Sequence, residues 1–264
     1  MDTYNMIDFN KKKGFICDMD GVIYHGNRVL PGVAEFIQWL HDEDKEYLFL
    51  TNNSGYTPRE LHQKLERLGL DVSEEHFYTS ALATAAFLRD QAPGCSVFAI
   101  GEAGLLNALY DAGITMNDVN PDYVVVGEGR SYSLDTLTKA TNLVWKGAKL
   151  IGANSDVSGP IENGIAPACR ALIAPIEMAT GKQAYFCGKP NPLMMRTGLK
   201  MLNCHSAEAV MVGDRMDTDV ISGMESGMST VLVLSGVSTR ETLRTYAYRP
   251  SIVLDGVGDI AAMA

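Results

Sequence analysis

Short, continuously apolar segments alternate along the chain with segments whose apolar residues recur every three or four positions. The first kind of segment predicts buried strands, and the second predicts amphipathic helices. The predicted strands are apolar at successive positions rather than at every second position, which indicates a sheet covered on both faces. This alternation of strands and helices is typical of an α/β protein with a parallel sheet.

The first 80 residues contain two predicted strands, at 14–17 and 47–50. One helix follows Pro31-Gly32, where apolar residues recur at helical spacing. The second helix begins at Thr57-Pro58-Arg59-Glu60, which offers an N-cap, a proline at the first helical position and a capping-box glutamate. Gly69 ends this helix.

The C-terminal third shows the same alternation of apolar strands and amphipathic helices as the first 80 residues. Its predicted strands are 184–187, 209–212 and 230–234. The middle segment has its own strands at 96–100, 123–126 and 149–151, with helices at 104–110 and 134–145. About 100 residues is a typical size for a domain. We therefore expect residues 1–80 and 184–264 to form one α/β domain, into which a second α/β domain, residues 81–183, is inserted.

The overall charge limits the partners that the protein can have. The chain has 264 residues, of which 46% are hydrophobic and 20% charged, and its formal net charge is −10. Its one basic run is Lys11-Lys12-Lys13. Nucleic acids and anionic membranes require a larger basic surface, so neither is an expected partner. If such an acidic protein acts on a phosphate, it must neutralise the site locally, with a metal ion and a well-placed lysine.

The cysteines and the apolar segments indicate the cellular compartment in which the protein is expected. The five cysteines are scattered, and no Cys-x-x-Cys pair occurs. This pattern favours reduced thiols over a disulfide framework or a zinc site. The N-terminus carries no apolar leader segment, and no apolar stretch reaches the length of a membrane span. We therefore expect a cytoplasmic protein.

The first chemically informative motif, Asp18-Met19-Asp20-Gly21-Val22, directly follows the first predicted strand. In open α/β sheets, ligands bind beyond the carboxyl ends of the strands. Two aspartates spaced two residues apart in an extended segment lie on the same side and can converge on one ligand. An isolated Asp-x-Asp triplet is more often a surface turn or a helix cap, but its position after a buried strand favours a functional site.

Three further polar motifs follow other predicted strands, and they are Thr51-Asn52-Asn53, Gly188-Lys189-Pro190 and the segment 213–219. They offer hydroxyl and amide donors, an ammonium group, and carboxylates suited to a hard cation. Taken singly, they could be a capping turn, a solvated lysine and an acidic loop. Four such motifs, each at a strand end, instead predict one shared site.

These motifs resemble those of haloacid dehalogenase-superfamily phosphatases. Asp18-Met19-Asp20-Gly21-Val22 is similar to the first motif, Thr51 to the second, Lys189 to the third, and Gly213-Asp214 with Asp219 to the fourth. The resemblance is closest to the NagD-type branch (class IIA, with a large C2 cap). It implies a Rossmann-like parallel-sheet core with an α/β cap inserted between the second and third motifs.

The resemblance also implies a mechanism. Asp18 would attack phosphorus, and Asp20 would act as the general acid and base. Mg²⁺ would be held by Asp18, Asp214 and the backbone carbonyl of Asp20. The crowding of aspartates in one site predicts a raised pKa for Asp20, as suits an acid.

The residues that would hold the phosphoryl group are Thr51, Asn52, Lys189, Arg215, Met216, Asp217 and Thr218. Asp219 would orient Lys189 or the metal shell. In the cap, Asn154 and Asp156 resemble a loop that touches the substrate, although a simple polar turn explains them equally well.

The resemblance to the NagD-type branch implies hydrolysis of small phosphorylated metabolites, with nucleoside monophosphates as the leading class and sugar phosphates or other small phosphoesters as the second class. The sequence also leaves open a phosphotransferase, a non-catalytic phosphometabolite-binding module and the formation of a homodimer. A dinucleotide-dependent dehydrogenase and a P-loop kinase are disfavoured, because Gly127-Glu128-Gly129 lacks the third fingerprint glycine and Thr51 follows no glycine-rich loop.

Overall fold

The computed structural model describes residues 7–130, 132–161 and 163–264. The chain divides into two compact units. Unit 1 comprises Met1–Thr51, His62–Tyr78 and Lys189–Ala264. Unit 2 comprises Asn52–Leu61 and Thr79–Gly188. The first six residues of the predicted range 1–80 lie outside the described residues.

Unit 1 is built on a six-stranded sheet. In spatial order its strands are Ile252–Leu254, Ser229–Val233, Ala209–Gly213, Gly14–Cys17, Glu46–Thr51 and Phe77–Thr79. The first five of these strands run parallel to their neighbours. All four residues of Gly14–Cys17 and all five of Ala209–Gly213 are buried, so both faces of these two strands are covered.

Helices and short turns complete unit 1. The α-helices are Val33–Asp42, Pro192–Met201, Ile221–Glu225, Arg240–Leu243 and Gly258–Met263. Single 3₁₀ turns lie at Phe9–Lys11, Glu74–His76 and Ser206–Glu208. A π-helical turn lies at Met216–Val220. Tyr24–His25 pairs with Arg28–Val29 in a small antiparallel hairpin. The helix Pro58–Arg67 begins in unit 2 and ends in unit 1. Its predicted capping box is present, because Thr57 N–H donates to Glu60 at 2.8 Å and Glu60 N–H donates to Thr57 Oγ1 at 3.2 Å.

Unit 2 has a five-stranded parallel sheet of its own. In spatial order its strands are Tyr185–Phe186, Lys149–Gly152, Tyr123–Val126, Ser96–Ile100 and Thr115–Met116. Its helices are Ser80–Gln91, Ala103–Asp111, Leu134–Trp145 and Cys169–Thr180, and an antiparallel hairpin joins Ser158–Ile161 to Gly164–Pro167. Val125 packs with the first two helices, whereas Val124 and Val126 pack with the other two. The sheet of unit 2 is therefore also covered on both faces, and the prediction of an α/β protein is confirmed.

The strand predicted at 184–187 belongs to a different sheet from the one expected. Tyr185–Phe186 pairs with Lys149–Gly152 in unit 2 and not with the sheet of unit 1. The aromatic ring of Phe186 fills the space that a side chain at Gly152 would occupy, which fixes this pairing. Unit 1 resumes at Lys189, whereas the predicted boundary placed its return at residue 184. Residues 52–61 also belong to unit 2, which the sequence pattern did not indicate.

None of the helices described combines the length and the apolar character that crossing a lipid bilayer requires.

Two glycines allow the first and last helices of unit 1 to approach each other. Gly32 precedes the helix Val33–Asp42 with φ +77°, and Gly258 begins the final helix. A Cβ atom at Gly32 would lie 2.7 Å from the Cα atom of Gly258. The backbone atoms of both segments would have to move to admit it.

We predict that Gly32→Ala destabilises the protein much more than Gly26→Ala. Gly26 also has a positive φ (+60°) but has open space around it, so its replacement carries only the left-handed backbone penalty of about 1–2 kcal/mol. Gly32→Ala adds overpacking, which typically costs about 1–3 kcal/mol more. Urea unfolding followed by circular dichroism measures both losses. Equal losses would show that the close approach contributes nothing.

Candidate active site

Three strand ends of unit 1 bring polar residues to one edge of the sheet. Asp18 follows Gly14–Cys17, Thr51 ends the neighbouring strand, and Asp214 follows Ala209–Gly213 on the other side. The N–H of Asp18 donates to the carbonyl of Val212 at 2.9 Å, so the sheet ladder continues to the first polar residue. Because parallel strands end at the same edge, side chains that are distant in sequence meet there.

Lys189 lies at the centre of this group. Its Nζ donates to Asp18 Oδ1 at 2.6 Å, to Asp219 Oδ1 at 2.7 Å and to the carbonyl of Leu50 at 3.2 Å. The side chain is only 2% exposed. Burial by itself would lower the pKa of Lys189, but the charges of Asp18 and Asp219 outweigh it and raise that pKa. The ammonium group is therefore charged at any physiological pH.

Asp219 reaches Lys189 from the π-helical turn Met216–Val220. Its second carboxylate oxygen accepts the backbone N–H of Arg215 at 3.1 Å. A side chain at Gly213 would overlap the carboxylate of Asp219, so a glycine is required at this strand end. The geometry agrees with the expectation that Asp219 orients Lys189.

Asp214 is held on one side only. Its Oδ2 accepts the N–H of Val237 at 2.6 Å, whereas its buried Oδ1 has no hydrogen-bond partner among the residues that the structure describes. Burial, followed by the charge of Asp219, raises the pKa of Asp214 to about 7, against the opposing effect of the Val237 N–H. A buried carboxylate oxygen without a donor is costly, and it therefore invites a ligand.

The aspartates of this site fit a divalent cation. One carboxylate oxygen each of Asp18, Asp214 and Asp219 lies within 4.8 Å of the others. Burial raises the pKa of Asp18, and the charges of Asp219 and Asp214 add to this effect, although Lys189 opposes it. Hard cations such as Mg²⁺ take carboxylate oxygens as ligands, and a cation here would also satisfy the unpaired Oδ1 of Asp214. Ligation by Asp18, Asp214 and the carbonyl of Asp20 stays a prediction.

Asp20 lies two residues beyond Asp18, at an exposed position. Its pKa is raised, chiefly because the surrounding protein removes water from it, while the charges of Lys64 and His25 act in the opposite direction. The raised pKa agrees with the expectation from the sequence, but the expected cause was wrong. Loss of water, rather than crowding by other carboxylates, has the largest effect.

The chain turns at Gly21, directly after Asp20. Gly21 has φ +80°, its N–H donates to the carbonyl of Tyr24 at 2.9 Å, and its carbonyl accepts from Ser235 Oγ at 2.6 Å. A Cβ atom at Gly21 would lie 2.5 Å from Asp214 Oδ2. This glycine is therefore needed both for the turn and for the approach of Asp214.

The predicted phosphate-binding segment 215–218 has a mixed character. The guanidinium group of Arg215 donates two hydrogen bonds to Asp217, at 3.0 and 2.8 Å. Met216 and Thr218 are buried, and the Met216 carbonyl accepts the hydroxyl of Tyr248 at 2.8 Å. Contact of these residues with a phosphoryl group stays a prediction.

Asn52, Asn154 and Asp156 meet in unit 2. The Nδ2 of Asn154 donates to the carbonyl of Asn52 at 2.6 Å and to a carboxylate oxygen of Glu128, while its Oδ1 accepts the N–H of Asp156 at 3.1 Å. Asn52 Nδ2 donates to Asp156 Oδ2 at 3.1 Å. Asn154 is 0% exposed, and contact of Asn154 and Asp156 with the substrate stays a prediction.

Sequence reasoning missed Glu128 and Ser54 as members of this cluster. Glu128 accepts both the N–H of Ser54, at 3.1 Å, and its hydroxyl. The signal that could have found it was the position of Glu128, which follows the apolar strand Tyr123–Val126 just as Asp18 follows its own strand.

Comparison with known proteins gives consistent relatives. A family model described as haloacid dehalogenase-like hydrolase matches residues 15–115, and a second model of HAD-like hydrolases matches residues 186–260. A dihydroxyacetone phosphatase from Corynebacterium glutamicum (strain R) is 47% identical over 94% of this chain and 90% of its own length.

Two further relatives have solved structures. The ribonucleotide monophosphatase NagD from Escherichia coli K12 is 43% identical over 94% of this chain and 98% of its own length, and its structure matches with a TM-score of 0.89. A 4-nitrophenylphosphatase from Thermotoga maritima is 32% identical over 96% of this chain and 98% of its own, with a TM-score of 0.92.

We predict that Mg²⁺ stabilises the protein against thermal unfolding through Asp214. A ligand that binds only the folded state at 100 times its dissociation constant contributes about 2.7 kcal/mol. The increase in Tm should be larger at pH 8 than at pH 6, because Asp214 holds a proton below its pKa of about 7 and must release it to bind the cation. Differential scanning fluorimetry with EDTA or MgCl₂ measures the increase.

Asp214→Asn should abolish most of this increase. The matched control is Asp255→Asn, which changes an exposed carboxylate of unit 1 whose partner is Arg240 at 3.6 Å. An Asp214→Asn protein stabilised by Mg²⁺ as strongly as the unmodified protein would contradict the assignment.

Proposed function

The chain belongs to the haloacid dehalogenase-like hydrolases, and we propose that it is a magnesium-dependent phosphomonoesterase in which Asp18 forms an aspartyl-phosphate intermediate. The observation that carries this proposal is the pairing of the Asp18 carboxylate with the buried ammonium of Lys189 at 2.6 Å, beside an oxygen of Asp214 that has no hydrogen-bond partner within the described ranges of the chain. A carboxylate nucleophile, a fixed positive charge and a cation site are the parts that phosphoryl transfer through an aspartate requires.

Asp18 is the proposed nucleophile. One of its oxygens attacks phosphorus in line with the leaving oxygen, and the ester bond to the leaving alcohol breaks as the aspartyl phosphate forms. Lys189 holds the nucleophile in place, since the ammonium bonds Asp18, Asp219 and the Leu50 carbonyl at once. Such fixation lowers the entropic cost of reaching the reactive geometry.

Asp20 is the proposed general acid and base. Its raised pKa lets it carry a proton at the start of the reaction, which it gives to the leaving oxygen. The ionised Asp20 then takes a proton from the water that attacks phosphorus, and the bond between phosphorus and the Asp18 oxygen breaks, which releases inorganic phosphate and restores the Asp18 carboxylate. Its exposed position is suited to contact with both the leaving group and the incoming water.

The charges of the site explain why a cation is needed. Asp18, Asp214 and Asp219 are gathered around a single lysine, and a phosphomonoester adds further negative charge. Two like charges about 4 Å apart repel by roughly 4 kcal/mol at an effective dielectric constant of 20. Mg²⁺ would supply positive charge to the phosphoryl oxygens at this site.

Thr51, Asn52, Lys189 and the segment 215–218 are the proposed phosphoryl-binding groups. Thr51 is a buried residue at the end of the strand next to Asp18. Lys189 provides permanent positive charge, and backbone N–H groups of the two loops are suitable donors to developing negative charge.

For the substrate we propose nucleoside monophosphates, supported by the similarity to a ribonucleotide monophosphatase. A second class, small sugar and triose phosphates, is favoured by the similarity to a dihydroxyacetone phosphatase. The two relatives are 43% and 47% identical to this chain, and a direct kinetic comparison of the two substrate classes decides between them.

We predict that UMP, GMP and AMP have higher kcat/KM than dihydroxyacetone phosphate and hexose phosphates. The ratio of kcat/KM values measures differential binding of the transition state. Phosphate release from the purified protein in MgCl₂ provides the values. A higher kcat/KM for dihydroxyacetone phosphate would move the assignment to the second class.

Phosphate release also distinguishes a hydrolase from a phosphotransferase and from a non-catalytic binding module. A phosphotransferase releases phosphate from p-nitrophenyl phosphate only slowly until an acceptor alcohol is added. A non-catalytic binding module gives calorimetric binding without turnover. The cytoplasmic location and the homodimer stay predictions, which cell fractionation and light scattering would test.

We predict that Asp18→Asn lowers kcat by at least about 10³-fold, because it removes the nucleophile and leaves its shape. Asp219 still pairs with Lys189 in this variant, so the protein should remain folded by circular dichroism. Stopped-time phosphate assays with the preferred substrate measure kcat, and intact-mass analysis after a rapid acid quench detects the phosphoprotein.

Asp42→Asn is the control for this prediction, because Asp42 is exposed and its side chain bonds Gln38 at 2.8 Å. It should leave kcat unchanged within about twofold. A folded Asp18→Asn variant that turns over at a rate close to that of the Asp42→Asn control would exclude the aspartyl-phosphate route.

A further inference from the structure

A polar cluster in unit 2 holds the segment Asn52–Ser54, which directly follows Thr51. We propose that Glu128 and Asn154 are positioning residues, which fix this segment and so increase the affinity of the site for the phosphoryl group. The proposal rests on the proposed function, since Thr51 and Asn52 are taken as phosphoryl-binding groups. Glu128 lies after the strand Tyr123–Val126 and takes no part in the proposed phosphoryl transfer, so holding Asn52–Ser54 in place is its proposed role.

The carbonyl of Asn52 is fixed by two donors. Ser80 Oγ donates to it at 2.5 Å and Asn154 Nδ2 at 2.6 Å, so both of its lone pairs are used. The side chain of Asn52 donates in turn to Asp156 at 3.1 Å. The peptide group that follows Asn52 therefore has one orientation.

Ser54 is fixed by Glu128. The carboxylate accepts the N–H of Ser54 at 3.1 Å and its hydroxyl, and the hydroxyl oxygen accepts the N–H of Glu128 at 3.0 Å. The other carboxylate oxygen of Glu128 accepts the second Nδ2 proton of Asn154. A hydrogen bond that involves an ionised group is roughly twice as strong as a neutral one, so Glu128 joins Asn154 and Ser54 firmly.

Two glycines make room for this arrangement. A Cβ atom at Gly127 would lie 2.6 Å from Ser54 Oγ, and one at Gly188 would lie 2.6 Å from Asn52 Oδ1. Side chains at these positions would push the segment away from the strand ends. These glycines thus leave space for the polar contacts of Asn52 and Ser54. Neither glycine has a positive φ, so the backbone is not strained at these positions.

Fixing Asn52–Ser54 matters because Thr51 precedes it in the chain. The carbonyl of Leu50, on the other side of Thr51, accepts a hydrogen bond from Lys189 at 3.2 Å. Thr51 therefore lies between two backbone carbonyls that are each held by buried side chains. A misplacement of about 1 Å in a binding group can reduce catalysis about 10²-fold, so loosening of one carbonyl should be measurable.

The test is binding of inorganic phosphate in saturating MgCl₂, followed by isothermal titration calorimetry, together with kcat and KM for the preferred phosphomonoester. Asn154→Ala and Glu128→Gln should each weaken phosphate binding about tenfold and raise KM more than they lower kcat. A merely structural role would lower the Tm without changing the phosphate dissociation constant of the folded protein.

Glu177→Gln is the matched control. Glu177 is a buried carboxylate of unit 2, whereas Glu128 is half-buried, and Glu177 accepts the N–H of Ala184 at 2.8 Å and pairs with Arg170. Its replacement should lower the Tm as Glu128→Gln does, yet leave phosphate binding within about twofold of the unmodified protein.

A double variant separates the two contacts of Asn154. In Glu128→Gln with Asn154→Asp, the new amide can donate to the new carboxylate, so the link between positions 128 and 154 returns. The ionised Asp side chain has no proton to donate to the carbonyl of Asn52. The double variant should therefore regain Tm relative to Asn154→Asp alone while its phosphate binding stays weak.

Phosphate binding by Asn154→Ala within about twofold of the unmodified protein would overturn the proposal, as would an equal loss in the Glu177→Gln control. Recovery of phosphate binding in the double variant would overturn the role of the Asn52 carbonyl. Failure of the proposed function would be seen separately, as an unmodified protein that binds phosphate but releases none from phosphomonoesters.

Discussion

The buried ammonium group of Lys189 is the interaction on which the arrangement of unit 1 depends. An isolated charge in the interior is strongly unfavourable, and removal of one member of a buried ion pair typically costs about 3–5 kcal/mol. Lys189 is 2% exposed, and it is stable there because Asp18 and Asp219 approach within 2.7 Å and the Leu50 carbonyl accepts its third proton. The ends of two strands and one π-helical turn must therefore converge on a single nitrogen atom.

This convergence explains the glycines around the site. Asp219 lies where a side chain at Gly213 would be, and Asp214 lies where side chains at Gly21 and Gly236 would be. Each carboxylate takes space that an ordinary residue would fill, so the site can hold three aspartates around one lysine only because three backbone positions carry no side chain. In the sequence these glycines look like turn residues, but in the structure they leave the space that allows the three carboxylates to lie close together.

The sequence sufficed for the architecture, because apolar strands and amphipathic helices have distinct periods, and it located the polar motifs, because each follows an apolar strand. It did not tell which sheet Tyr185–Phe186 would join, since apolarity reports burial and not the pairing partner. It also missed the role of Glu128, whose partners Ser54 and Asn154 are 74 and 26 residues away. The expected cause of the raised Asp20 pKa was wrong for a related reason, because loss of water depends on the folded surroundings and not on the nearby sequence.

The two polar clusters of the protein differ in how fully their hydrogen bonds are satisfied. In unit 2, both Nδ2 protons of Asn154 have acceptors and both lone pairs of the Asn52 carbonyl have donors. Buried polar groups paired in this way make the local structure rigid. In unit 1, by contrast, the buried Oδ1 of Asp214 has no partner in the described part of the chain, and leaving such an atom unpaired costs about 1–3 kcal/mol. Unit 1 folds with this cost offset by burial elsewhere in its core, and a bound cation would remove it. The carboxylate of Asp214 is thus suited to binding a ligand, and the contacts between Asn154 and Asn52 to holding a fixed geometry.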